Sequence, residues 1–245
     1  MNARRNHRPP LLSMARNGAT RAALVLAACA GVMGPAAAAP RITSGEMARL
    51  PPYCADSEAA PGYVRFGPRW QYWAARMGPT FNAIHHYRYG LVEVMRVRGL
   101  PQGDQGRRAG LLRSVAEFNF IIEGYDPKFP LMPELLVKRG EAAVLLEDWV
   151  LAYDSYARAR ELKPDYWPAY LQWAEVLVKL NKRDDAKALL KQGLTHSPGQ
   201  ERMRQLYVQL GGSLQDLPEP APAPASSPAS TPPAETEPAA SAASQ

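Results

Sequence analysis

The residues of this sequence with most scope for chemistry are two adjacent histidines, His85 and His86. Neighbours on a helix point about 100° apart, whereas zinc-binding pairs sit at i, i+4 with a third ligand. The i+4 partners here are Tyr89 and Gly90, and neither is a usual ligand. The pair therefore reads as packing or hydrogen bonding, with a metal as the weaker alternative. Glu147-Asp148 and Asp184-Asp185 offer paired carboxylates, the groups of general acid–base work. Both pairs fall at expected turns between helices, where capping explains them better. Gly103 and Gly106 lie in a polar stretch with no following Lys-Ser/Thr, so no phosphate cradle forms there. No zincin motif and no nucleophile elbow occurs. Trp70, Tyr72 and Trp73, with Tyr63 and Phe66 nearby, either stack a sugar or peptide or seal a first hydrophobic layer. Nothing in this inventory assembles a catalytic, metal or cofactor site, and the expectation is a protein that is not an enzyme and carries no cofactor.

The elements that could hold these residues lie between two unlike ends. Residues 1–39 hold five arginines (Arg4, Arg5, Arg8, Arg16, Arg21) and no acid, then an apolar run from Ala22 to Met33 and the small-residue exit Ala36-Ala37-Ala38. That is the layout of a secretory signal peptide, too short to span a bilayer. Met14 is an alternative start. Leu26-Ala27-Ala28-Cys29 also matches a lipobox, so an outer-membrane lipoprotein anchored through Cys29 stands beside a soluble cleaved product in the periplasm or outside the cell. Loss of the five arginines takes the basic count from 29 to 24 against 23 acids, a net charge of +1 in place of +6. The pI of 9.4 thus describes mainly the leader, and a nucleic-acid partner has no basic patch to rest on. Either cleavage leaves Cys54 as the sole thiol, a small buried residue or a handle for an intermolecular bridge. At the other end, Leu217 to Gln245 is nearly all Pro, Ala, Ser, Thr and Glu, which predicts a disordered tail with some extended polyproline character.

Between the ends the pattern is helical. Positions 149, 152, 153, 156, 159 and 162 share one expected face and stop at Lys163-Pro164. A second run puts Tyr170, Trp173, Ala174, Leu177 and Leu180 on one face, and Asp184-Asp185 opens a third with acids at its positive end. A period underlies these runs: Ala152 to Ala186, Pro130 to Pro164 and Pro164 to Pro198 are each separated by 34 residues.

A 34-residue period resembles the tetratricopeptide repeat family, which sets small residues, an aromatic and a closing proline at fixed places. Residues 133–166 supply Gly140, Ala152, Tyr156, Ala159 and Pro164; residues 167–200 supply Ala174, Ala186, Leu190, Gly193 and Pro198. Small residues permit close helix approach while larger ones fill the gaps. Upstream the pattern diverges, because the expected alanine position holds Phe118 in a second helix taken as Leu111–Gly124. The implied fold is all-α, a short right-handed α-solenoid of antiparallel helix pairs. Its expected order is a signal peptide (1–39), an irregular segment with a short helix (40–79), a divergent pair (80–132), two repeat units (133–200), a capping helix (201–212) and the tail (213–245). Tyr53-Cys54, Met77-Gly78, His85 to Leu91 and Lys163 to Trp167 are also similar to a group of exported proteobacterial repeat proteins. In that group a cysteine often follows the His-His-Tyr triplet; Arg88 stands there in this chain.

What the resemblance implies for function is a scaffold that binds a protein or peptide. Family ligands usually lie along a concave face built by the first helix of each pair. By position that face comprises Glu134, Val137, Lys138, Glu141 and Val144, then Leu171, Gln172, Glu175 and Val178. The lysine–asparagine clamp by which some relatives hold a partner's C-terminal carboxylate is missing, since Val137, Glu141, Leu171 and Glu175 occupy its positions. The acidic and apolar mix suggests a guest with apolar anchors and some positive charge. A subunit of a secretion or assembly complex, and a glycan-binding or enzymatic protein using the region of Trp70 and Trp73, are the alternatives.

Overall fold

The computed structural model describes residues 41–58 and 60–218; the expected signal peptide, the lipobox cysteine and residues 219–245 of the expected tail lie outside the described residues. The order is α1 (Ser44–Met47), a 3-10 turn (Pro52–Cys54), α2 (Pro68–Met77), a 3-10 turn (Pro79–Ala83), α3 (Ile84–Val97), α4 (Gln105–Gly124), α5 (Met132–Leu145), α6 (Trp149–Leu162), α7 (Trp167–Lys179), α8 (Arg183–His196), α9 (Glu201–Gln209) and a 3-10 turn (Leu214–Asp216). No strand occurs among the described residues. Successive helices pair as α3 with α4, α5 with α6 and α7 with α8, and α9 closes the stack on α8. The described helices form an all-helical solenoid of stacked hairpins.

Local chemistry sets the helix ends. Proline occupies the first turn of α2, α5 and α7, where a missing N–H costs nothing. Asp104 and Asp148 cap α4 and α6 by accepting from the Arg107 and Leu151 amides at 2.8 and 3.0 Å. The turns from α5 to α6 and from α7 to α8 share one design. Glu147 and Asn181, 34 residues apart, each have φ of 60°. The next amides, Asp148 and Lys182, return to the Ala143 and Leu177 carbonyls at 2.9 and 2.8 Å, a Schellman closure.

Some boundaries and faces differ from the sequence reading. The divergent pair, expected from residue 80, opens with the 3-10 turn Pro79–Ala83 ahead of α3, because Pro79 starts a tighter coil. Helix α4 begins at Gln105 rather than Leu111, since the Asp104 cap offsets the glycine at 106. On α6 the buried face is Ala152, Ser155, Tyr156 and Ala159, whereas Trp149, Tyr153 and Leu162 are exposed. Glycine positions explain the close packing: a Cβ at Gly140 would sit 2.9 Å from the Tyr156 ring, and one at Gly193 only 2.7 Å from that of Tyr170.

The divergent pair follows the same logic in another register. A Cβ at Gly90 would clash with the Phe118 ring, and Ser114, fully buried, donates to the Gly90 carbonyl at 3.0 Å. Phe118 is thus the counterpart of Tyr156 facing Gly140. The small-residue position falls at Ser114, four residues before the ring, as Ala152 precedes Tyr156. The sequence reading had placed Phe118 at the alanine position by counting back from Pro130, one helical turn out of register.

Candidate functional site

Helices α5 and α7 lie side by side and open a groove of about 790 Å³. From α5 it is lined by Glu134, Val137, Lys138, Glu141, Val144 and Leu145, and from α7 by Pro168, Leu171, Gln172, Glu175, Val176 and Lys179. Their i, i+3, i+4 and i+7 spacings put each set on one helix face. Arg98 at the end of α3, Tyr156 of α6, Tyr166 and Trp167 at the start of α7, and Arg202 of α9 complete the walls. Eight of the nine residues expected from sequence therefore converge on one groove. Val178 does not line it; it is half-buried against the core.

Two of the eight contribute less surface than their positions suggested. Val137 is 1% exposed and Leu171 4%, so they form the floor and belong to the core beneath. The half-buried side chains are Glu134, Lys138, Glu141, Val144, Gln172 and Glu175. The acids are already engaged. Glu134 accepts from the Tyr87 hydroxyl and, at 3.4 Å, from that of Tyr53. Glu141 pairs with Lys138 at 2.8 Å and with Arg98 at 3.9 Å, and Glu175 with Arg202 at 2.7 Å. Lys179 is exposed and has no carboxylate partner among the described residues. Away from Glu134, the groove thus carries four cations (Arg98, Lys138, Lys179, Arg202) against two carboxylates (Glu141, Glu175). Arg98, Lys179 and Arg202 join the acidic and apolar mix expected from the sequence, and with Glu134 counted the lining holds three carboxylates.

A model of the tetratricopeptide repeat matches residues 143–210, from the end of α5 through α9. Over those residues the chain is similar to the tetratricopeptide repeat. No curated protein and no solved structure matches it. The repeat-defining residues are placed as such packing requires: Gly140, Ala152, Tyr156, Ala159, Ala174, Ala186, Leu190 and Gly193 are buried. Pro164 and Pro198 each follow the C-cap of a repeat's second helix. The wall that precedes the matched residues, Glu134 to Glu141, extends the groove into the adjoining hairpin.

Outside the repeats, the residues considered for chemistry are occupied. His85 meets the Asn82 carbonyl at 3.0 Å, and burial followed by the neighbouring His86 lowers its pKa. His86 Nδ1 lies 2.6 Å from Glu117 and its ring stacks on Phe120 at 3.7 Å. Among the described residues no group of three or more His, Cys, Asp or Glu could hold a metal. Trp73 donates its indole N–H to Asp56 at 2.7 Å and meets Tyr53 edge-on, while Trp70 packs toward Phe81. These rings build the first apolar layer, although Phe66 remains exposed. Within the second repeat unit, Asp184 pairs with Lys187 at 3.5 Å rather than capping α8. Cys54 is fully buried, and burial pushes its thiol up to about 12, which leaves it a poor nucleophile.

Two buried arginines escaped the sequence reading. Arg139 donates to Ser155, Asn119 and Asp154 at 2.9, 3.2 and 2.7 Å, tying α4, α5 and α6 together. Arg88, fully buried, donates to Ser57 and to the Cys54 and Glu58 carbonyls, fixing the N-terminal segment on α3. Position 88 thus lies against the Cys54 backbone. A Gly after Arg139 and a Tyr before Arg88 gave no hint of burial, because an arginine is buried only when distant segments supply its acceptors.

Proposed function

We propose that the protein is an exported scaffold whose groove between α5 and α7 holds a segment of another envelope protein, without chemistry of its own. One observation carries the reading: a single groove, floored by Val137 and Leu171, collects half-buried apolar and polar side chains from both hairpins beside Tyr166 and Trp167. Such a surface suits an extended or helical guest with apolar anchors. The carboxylates of Glu141 and Glu175 are already paired, so the guest gains little from positive charge. Its charged groups fit better if they are acidic and meet Lys179, which has no carboxylate partner among the described residues.

Val137 and Leu171 are unsuitable for testing this, since an acid at either site would disrupt the core. A photo-crosslinking residue at Val144 or Gln172 should give one and the same adduct in intact cells. The same residue at exposed Ala188 on α8 should give none. Equal labelling at Ala188, or no adduct at either groove position, would move the site elsewhere.

Export rests on the basic, apolar and small-residue order of residues 1–39. The intact mass of the chain from its producing cells should correspond to a start between Ala36 and Pro40. An acylated Cys29 would make it a lipoprotein subunit instead, and an uncut N-terminus would remove the export claim.

A further inference from the structure

The groove has a candidate occupant within its own sequence. Beyond Arg204 the chain contains no lysine or arginine, and residues 219–245 carry three acids, Glu219, Glu235 and Glu237. The run Thr231-Pro232-Pro233-Ala234-Glu235-Thr236-Glu237-Pro238 sets two prolines at one end and two carboxylates at the other. The groove has the matching polarity. Tyr166, Trp167 and Pro168 stand at the start of α7, and Lys179 at its end, with Arg98 also on the wall.

Dimensions agree as well as chemistry. Trp167 to Lys179 spans twelve helical steps, about 18 Å at 1.5 Å each. At the 3.1 Å per residue of an extended polyproline helix, the five steps from Pro232 to Glu237 would span about 16 Å. Aromatic-lined grooves take proline in that conformation because the ring faces stack and little chain entropy is lost. The connection is long enough: Leu217 packs against the core, and the 15 residues from there to Pro232 reach about 46 Å when extended. A domain of this size is about 30–40 Å across.

We propose that Thr231–Pro238 docks in the α5–α7 groove of its own chain, prolines on Tyr166 and Trp167 and carboxylates toward Lys179, and so competes with the external guest. This rests on the groove being a docking site. Tethering makes weak affinity sufficient. At an effective concentration of about 1 mM, a tethered tail with an intrinsic Kd of about 0.1 mM weakens a competitor roughly tenfold.

The test uses the full chain, 15N-labelled, with a spin label at Ala240→Cys in a Cys29→Ser background; Cys54 is too buried to react. The amide signals of Val144, Gln172 and Lys179 should lose at least half their intensity when the label is oxidised, while Ala188 keeps its own. Glu235→Lys with Glu237→Lys should restore the groove signals. Unattenuated groove signals overturn the proposal, as does attenuation that survives the charge reversal. Equal attenuation in a mixture of 15N-labelled chains without the spin label and unenriched chains that carry it assigns the tail to a second copy and overturns docking in cis. The readout needs no external guest, so failure here is separate from failure of the crosslinking at Gln172.

Discussion

Gly193 and Tyr170 set the spacing of the last hairpin: the glycine's hydrogen is where the ring rests, and an added Cβ would lie 2.7 Å from ring carbon Cγ and 2.9 Å from the tyrosine's own Cβ. Neither atom can swing away, because Tyr170 is itself buried. Gly193→Ala gains up to about 1 kcal/mol in helix propensity, yet overpacking of this kind costs about 1–3 kcal/mol. The variant should be the less stable by about 1 kcal/mol, a fall of roughly 2–4 °C in Tm for a domain of this length. Gly124→Ala, where nothing lies within 4 Å of the new Cβ, should leave Tm unchanged or slightly raised. Equal melting of the two variants would mean that close approach does not govern this packing. Such small positions were legible in the sequence, because their 34-residue spacing marks them. Exposure was not: Val137 and Leu171 sit at the positions of a binding face yet serve as its floor, since the depth of a groove depends on how far its two helices separate.

At the scale of elements, the two repeat units were readable because each hairpin repeats the same devices at the same interval. Glu147 and Asn181 close equivalent turns, although only asparagine hints at a left-handed residue. The first hairpin was harder to read because its connection is longer and its closing proline out of step. The pairing that would have set it right was present in the sequence as Gly90 with Ser114 and Phe118, a small residue and a ring four apart. Counting from Pro130 obscured it. The outer face of α6 misled in the opposite direction: Trp149, Tyr153 and Leu162 keep helical spacing with Ala152 and Ala159 but stay exposed at the edge of that stripe, although the Tyr153 ring still meets Trp173 of α7 at 5.9 Å. Periodicity identifies a helix; only the neighbours decide how wide its buried face is.

At the scale of the molecule, Glu134 joins three layers: its carboxylate, on α5, accepts from Tyr87 on α3 and from Tyr53 in the N-terminal segment. Sequence placed Glu134 on a binding face and gave no sign of this second task, which depends on hydroxyls 47 and 81 residues away. Burial, reinforced by Tyr53 and Glu134, pushes the Tyr87 hydroxyl above its usual value of 10.0, so it stays a donor in the folded state. Because the folded value is the raised one, that contribution is complete below pH 10 and shrinks above it as the unfolded chain ionises. Glu134→Leu should leave Tyr87 without its acceptor at a cost of about 2 kcal/mol. The longer contact to Tyr53 adds little. Solenoid layers touch only their neighbours, so the loss should stay local. Amide exchange should quicken by roughly 30-fold, the equivalent of that energy, across the Pro52–Cys54 turn and the first turns of α3. Helices α7 to α9 should keep their protection. Uniform acceleration through α9 would instead describe a single cooperative core, and the groove between α5 and α7 would then answer to damage in the N-terminal segment as well as to its guest.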